Sequence, residues 1–184
     1  MKITTGKYKF KQIKSIKNNK LRPTTNKIRN AVFDILINRY ALTKWAKDGH
    51  LLDAFSGTGI ISLEGFSRNI AKATLIESDN LIFNNLKKNI KNFNLVEKVI
   101  LINSDFFTLK LSRSEYSLVY LDPPYLSNYT NLAINKILDE KSLKKNAIVV
   151  CETKKNHQYS NNLCKHIEII KQYGNTSITF FKFD

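Results

Sequence analysis

From residue 50 onward the chain alternates two kinds of apolar pattern. Unbroken apolar runs occur at "HLLDAF" (50–55), "KATLIE" (72–77), "KVILIN" (98–103), "YSLVYLD" (116–122) and "AIVVCE" (147–152). Between the earlier runs lie "GIISLEGFSRN" (59–69) and "DNLIFNNLKKNIKNF" (79–93), with apolar residues at helical spacing, and a weaker helical stretch follows at 130–140. Strands that are apolar throughout and separated by helices are what a parallel sheet covered on both faces demands. The tail "HIEIIKQYGNTSITFFKF" (166–183) differs, being two β-rich runs around Gly174-Asn175. That is a hairpin signal, so the sheet is expected to end with an antiparallel strand. The pattern predicts an α/β fold.

Upstream, "RPTTNKIRNAVFDIL" reads as a helix start. Thr24 or Thr25 follows Pro23 as a cap, and Ile28, Ala31, Val32, Ile35 and Leu36 fall on one helical face. The first 20 residues set Tyr8, Phe10, Ile13 and Ile16 among lysines, which reads as a short hairpin with one apolar face. The division expected is a basic extension over 1–22 and a main domain over 23–184.

Composition narrows the class. At 184 residues, 42% hydrophobic and 24% charged, this is an ordinary globular protein with room for one core. It has no apolar run of the length, about 18 residues, that a membrane span needs. The N-terminus lacks the apolar stretch of a secretory signal. Cys151 and Cys164 have neither metal-type nor CxxC spacing and read as intracellular free thiols. A cytoplasmic location is expected. His50, His157 and His166 are scattered, so no metal is expected.

The formal net charge is +15, and 25 of the 30 basic residues are lysine. A bias in coding composition would raise lysine everywhere, yet the first 33 residues hold ten basic residues and no acid. That asymmetry favours a polyanionic partner, nucleic acid above all, with Lys7, Lys9 and Lys11 among the candidate contacts. Arg22, Thr24 and Arg29 either touch RNA or shape the mouth of the pocket. Their other reading is a helix cap flanked by solvated arginines.

In an open α/β sheet, ligands bind beyond the carboxyl ends of the strands. The first strand carries Asp53 and leads through Ser56-Gly57-Thr58-Gly59 into a helix. Glycines there permit positive φ and close approach of a ligand. The nicotinamide fingerprint needs a third glycine three positions on, where this chain has Ser62. An acid near the turn also suits a cationic amino group rather than a pyrophosphate. S-adenosylmethionine, with an ammonium, a sulfonium and no phosphate, meets that requirement. Glu77 ends the second strand, placed to accept from both hydroxyls of a ribose. Past the third, Asp105 can accept from an adenine amino group, and Phe106 can lie against the ring.

The fourth strand ends "VYLDPPY". Two of the chain's three prolines stand here, where a central strand must stop. The amine of a nucleobase is a poor nucleophile because its lone pair is delocalised. Asp122 and the carbonyl of Pro123 can accept from its two N–H bonds. Pro123 and Pro124 fix where that carbonyl points, and Tyr125 offers a stacking face. Adenine N6, cytosine N4 and guanine N2 pose the same chemical problem, so the turn alone leaves the base open.

"DPPY" after a "DAFSGTG" loop resembles the motif pair of class I S-adenosylmethionine-dependent methyltransferases acting on amino groups. With "LRPTTNKIRNAVFDIL" before it and "YGNTSITFF" at the tail, the likeness is to the bacterial 16S ribosomal RNA guanine-N2 methyltransferase family. It runs from about Gly6 to Phe183. The resemblance implies a Rossmann-like, mainly parallel sheet of seven strands and methylation of one guanine in 16S rRNA during small-subunit assembly. It places Asp53, Gly57 and Gly59 along the methionine part of the cofactor, Glu77 at the ribose, Asp105 at the adenine and Asp122 to Tyr125 at the target amine. A monomer acting on 16S rRNA or an assembling subunit is expected. The rivals are a DNA amino-methyltransferase, for which 184 residues leave little room for a recognition segment, a glutamine-amide methyltransferase, and a binding module without catalysis.

Overall fold

The computed structural model describes residues 1–16, 25–124 and 128–183. Helix α1 (Asn26–Asn38) begins at Thr25, whose hydroxyl accepts from the backbone N–H of Ile28 at 3.3 Å. The single-turn helix α2 (Leu42–Trp45) follows and leads into strand β1 (His50–Asp53). Then come α3 (Ile60–Ser67), β2 (Lys72–Ile76), α4 (Asn80–Asn92), β3 (Val99–Ile102) and β4 (Tyr116–Leu121). The chain closes with α5 (Tyr129–Asp139), β5 (Leu143–Lys154), the short α6 (Asn161–Cys164), β6 (Ile167–Tyr173) and β7 (Thr176–Phe183).

The seven strands form one sheet in the order β3-β2-β1-β4-β5-β7-β6. The first five pair in parallel, whereas β7 runs antiparallel between β5 and β6. This is the expected α/β architecture with its antiparallel hairpin. Burial follows position in the sheet. All four residues of β1 are buried, while the edge strands β3 and β6 leave side chains such as Ile100 and Ile170 in the open.

Two apolar layers sandwich the sheet. One holds Val32 and Phe33 of α1, Leu63 and Phe66 of α3, Leu86 and Ile90 of α4, and Leu75 and Tyr120 from the sheet. The other holds Ala133, Ile134 and Ile137 of α5 against Leu52, Val119 and Phe181. Every residue of α3 is buried, so something must cover its outer face. The N-terminal segment does this. The backbone N–H of Thr4 and its hydroxyl both donate to Glu64, at 2.9 and 3.0 Å, and the N–H groups of Lys7 and Tyr8 donate to Ser67. Ile3 and Ile13 enter the core.

The expected hairpin is therefore reduced to one antiparallel bridge, Lys2 to Gln12. Its apolar face is split, with Ile13 inside and Phe10 exposed at the turn. The expected boundary at 22 and 23 lies outside the described residues.

Candidate active site at the strand ends

Strand order reverses between β1 and β4, so a crevice opens there beyond the carboxyl ends. Asp53 is in register with Leu75 of β2 and Tyr120 of β4. Side chains repeat a face every second residue along a strand, so continuing that alternation one residue past the ends of β2 and β4 puts Glu77 and Asp122 on the same side as Asp53. They flank β1 at two inter-strand spacings, about 10 Å apart. Three acids from three adjacent strands thus border one crevice.

The turn after β1 is built around them. Gly57 and Gly59 have φ values of 54° and 78°, which L side chains rarely adopt. A Cβ on Gly59 would stand 2.5 Å from the end of the Leu86 side chain of α4, so any side chain there would have to displace it. The hydroxyl of Ser56 donates to the carbonyl of Asp53 at 2.7 Å and closes the turn. The N–H of Gly57 donates to one oxygen of Glu77 at 3.0 Å, and the N–H of Asp79 to the other at 2.8 Å. Glu77 is thereby fixed at the crevice edge. Burial pushes its carboxyl upward, against these hydrogen bonds.

Asp53 is a perturbed acid. It is 2% exposed. Burial lifts its pKa to about 7, against the opposing hydrogen bond from Ser62, whose hydroxyl donates at 2.8 Å. The residue that breaks the nicotinamide fingerprint is thus the one that holds this carboxylate. Among the described residues no cation pairs with Asp53. A buried carboxylate without a cation, beside a glycine turn, suits a ligand bearing an ammonium group. With Glu77 for a diol, the donor set fits S-adenosylmethionine.

The β4 corner stands next to it. Asp122 is half-buried, Pro123 buried and Pro124 exposed. Tyr125 lies outside the described residues, as do Arg22 and Thr24. The hydroxyl of Tyr120 donates to Glu152 at 2.8 Å, both side chains being buried beneath the corner. Burial and the nearby charges of Glu152 and Asp122 push that phenol well above its ordinary range. This pair was not legible in sequence, since it depends on the pairing of β4 with β5.

Two expectations are corrected. Arg29 is 1% exposed, its Nε donating to Glu64 at 3.4 Å and its Nη2 to the carbonyl of Lys2 at 3.1 Å. Buried Glu64 needs cationic partners and recruits Arg29 of α1 and Arg68, which caps the end of α3. Arg29 is an internal strut and does not face a phosphate. Phe106 is 2% exposed in the second apolar layer, because the turn at Phe106–Thr108 points it inward. Phe55 and Phe107, which flank it, stay partly exposed, and Tyr129 packs edge-on against Phe107. Asp105 is exposed and caps that turn, accepting from the N–H of Phe107 at 2.8 Å. Lys7, Lys9 and Lys11 lie by the far end of α3, near Ser67 and Phe93, away from the strand ends.

One more residue belongs to the site. Buried Asn89 of α4 donates to the carbonyls of Thr58 and Lys14, at 3.0 and 2.9 Å, and accepts from the N–H of Lys14 at 3.0 Å. It ties the glycine turn to the N-terminal segment. An asparagine inside an otherwise apolar helical face was the available signal.

The fold and this site define a class I S-adenosylmethionine-dependent methyltransferase. Solved structures agree on the fold. That of the Escherichia coli protein yhhF superposes with a TM-score of 0.81 at 23% identity, covering 100% of this chain and 98% of that one. An RNA methyltransferase from Salinibacter ruber, solved with S-adenosyl-L-homocysteine, gives 0.65 at 17% identity over 88% of this chain and 93% of that one. The chain belongs to the family described as conserved hypothetical protein 95, whose model matches residues 1–182. It is 36% identical to ribosomal RNA small subunit methyltransferase D of Buchnera aphidicola, over 83% of this chain and 78% of that protein.

Proposed function

We propose that this protein transfers a methyl group from S-adenosylmethionine to the exocyclic N2 of a guanine in 16S rRNA. The observation that carries the reading is the shared rim. Asp53, Glu77 and Asp122 border one crevice, with the rigid Pro123-Pro124 corner on its β4 side. The relative's name supports small-subunit rRNA as the substrate. Guanine N2 rests on the sequence resemblance.

The donor supplies an electrophilic methyl. In this reading Asp53, Ser56, Gly57 and Gly59 hold its amino-acid part, Glu77 the ribose and Asp105 the adenine. Asp122 and the Pro123 carbonyl accept from the two N–H bonds of the target amine. That leaves its lone pair toward the methyl, with Asp122 positioned to take the surplus proton. Tyr125 stacks on the base, which leaves its helix to enter the pocket. Lys7, Lys9 and Lys11, with Arg22 and Thr24, contact the RNA.

The test is incorporation of tritiated methyl from S-adenosylmethionine into 30S particles, free 16S rRNA and DNA, followed by nucleoside analysis. Label confined to RNA and recovered as N2-methylguanosine is expected. Label in DNA, or in methyladenosine or methylcytidine, contradicts the reading.

A further inference from the structure

We propose that the outer face of α4, with the N-terminal segment laid beside it, is a track for the RNA backbone leading to the strand-end crevice. The proposal rests on the reading that the substrate is RNA. It adds a surface that the basic N-terminus alone does not predict.

Two stretches far apart in the sequence are free of acids. Residues 1–16 carry five lysines and residues 80–92 carry Lys87, Lys88 and Lys91, with no Asp or Glu in either. The fold joins them. Asn85 and Asn89 of α4 both donate to the carbonyl of Lys14, at 2.8 and 2.9 Å. Tyr8 meets Phe93 edge-on at 5.3 Å, and the ammonium of Lys11 sits 4.4 Å from the centre of the same ring. Lys11 and Lys14 are thereby brought beside α4, which carries Lys87, Lys88 and Lys91.

Along α4, with Ile16 of the N-terminal segment at its side, runs a groove of about 790 Å³, lined by Leu81, Lys87, Lys88 and Lys91. Its apolar residues are open to solvent, Leu81 at 72% and Ile16 at 37% exposed. Among the described residues none of its lysines pairs with a carboxylate, whereas Lys72 and Lys136 elsewhere do. Unneutralised lysines beside an open apolar strip suit a chain that offers phosphates on one side and sugar and base faces on the other. An acidic protein would match the charge but has no need of an approach to the crevice.

Direction supports the same occupant. Leu81 is in the first turn of α4, four residues past Glu77, and Lys91 is in the last. At 1.5 Å per residue the helix spans about 20 Å, room for several phosphates of one strand. The track therefore starts at the rim that holds the cofactor acids. Asn89 also bonds to Thr58 in the glycine turn, which fixes the track relative to that turn.

The experiment compares wild type with two triple variants. One is Lys87→Gln/Lys88→Gln/Lys91→Gln. The other, Lys141→Gln/Lys144→Gln/Lys145→Gln, alters a lysine cluster around a separate hollow near His166. Affinity for in vitro transcribed 16S rRNA is measured between about 50 and 200 mM salt, where each phosphate contact contributes about 0.7–0.9 to the log–log slope. The α4 variant is expected to lose about two units of slope and to bind at least about tenfold more weakly at the upper salt. Its KM for RNA is expected to rise, with calorimetric affinity for adenosylhomocysteine kept. The second variant is expected to retain the wild-type slope.

An unchanged slope in the α4 variant overturns the track, as does an equal loss in both variants, which would mean diffuse charge. If such a result comes while wild type still methylates 16S rRNA, the track fails and the proposed function stands. If wild type neither binds nor methylates RNA, both fall.

Discussion

The phenolic hydroxyl of Tyr120 donates to Glu152 at 2.8 Å, joining two neighbouring strands in the buried layer directly beneath Asp122. Leu121 pairs with Cys151, so Glu152 stands beside Asp122 across the β4–β5 ladder. Two carboxylates one strand spacing apart repel, and the phenol stabilises the inner one. Replacing Tyr120 with Phe removes that donor from a buried carboxylate, which costs about 1–3 kcal/mol of stability. Loosening the layer beneath Asp122 is also expected to slow methyl transfer. A melt and a transfer rate indistinguishable from wild type would show that the bond does nothing for the corner.

Asp53 gives a pH signature. Its pKa in the folded protein, about 7, is above the ordinary 3.8. Below both values the group is protonated folded or unfolded, so its contribution to stability is complete there. As pH rises, the unfolded chain ionises first, and stability is lost until the folded group ionises near 7. The full difference is on the order of 4 kcal/mol. Asp53→Asn without ligand should therefore melt above wild type at about pH 8 and match it near pH 4. A ligand ammonium favours the ionised carboxylate, so adenosylhomocysteine binding should release a proton at about pH 6. Calorimetry in buffers of different ionisation enthalpy reads that release, and its absence would contradict the assignment of Asp53.

Glycine substitutions separate a built position from a free one. Gly59 has a φ of +78° and Leu86 lies 2.5 Å from the site of a Cβ, while Gly174, at +59°, has nothing within 4 Å. Gly174→Ala should cost only the left-handed backbone penalty, about 1–2 kcal/mol. Gly59→Ala should cost more and also weaken adenosylhomocysteine binding, because the turn must shift. Urea unfolding and calorimetry check both. Equal costs, with ligand binding intact, would contradict the argument.

Glu64 holds the N-terminal segment in place. It accepts from Arg29, Arg68 and Thr4 while being fully buried itself. Truncation to Ala removes the buried carboxylate that both arginines pair with, a loss of about 3–5 kcal/mol. Trypsin should then cut at Lys7, Lys9 and Lys11 faster than in wild type. A loss below about 1 kcal/mol with unchanged cleavage would mean that the network is dispensable.

Much of this was legible in the sequence, for identifiable reasons. Strands β1, β2 and β4 read directly because burial on both faces leaves unbroken apolar runs. Asp53, Glu77 and Asp122 stood out as polar residues at the ends of those runs, whereas the strand order that sets them side by side was not legible. β5 begins at Leu143, earlier than its apolar run, because its first residues include exposed lysines. Arg29 was hidden because a charge reads as solvated until its partner is seen, and Glu64 is 35 residues away. The choice between Phe106 and Phe107 depended on one turn of backbone. The bond between Tyr120 and Glu152 required a strand register that spacing alone does not supply.

The central claim is tested most directly by Asp122→Ala in a single-turnover transfer of tritiated methyl to 16S rRNA, alongside calorimetry with adenosylhomocysteine. The account predicts transfer slowed by at least about 10²-fold with ligand affinity retained. Transfer at the wild-type rate would contradict it.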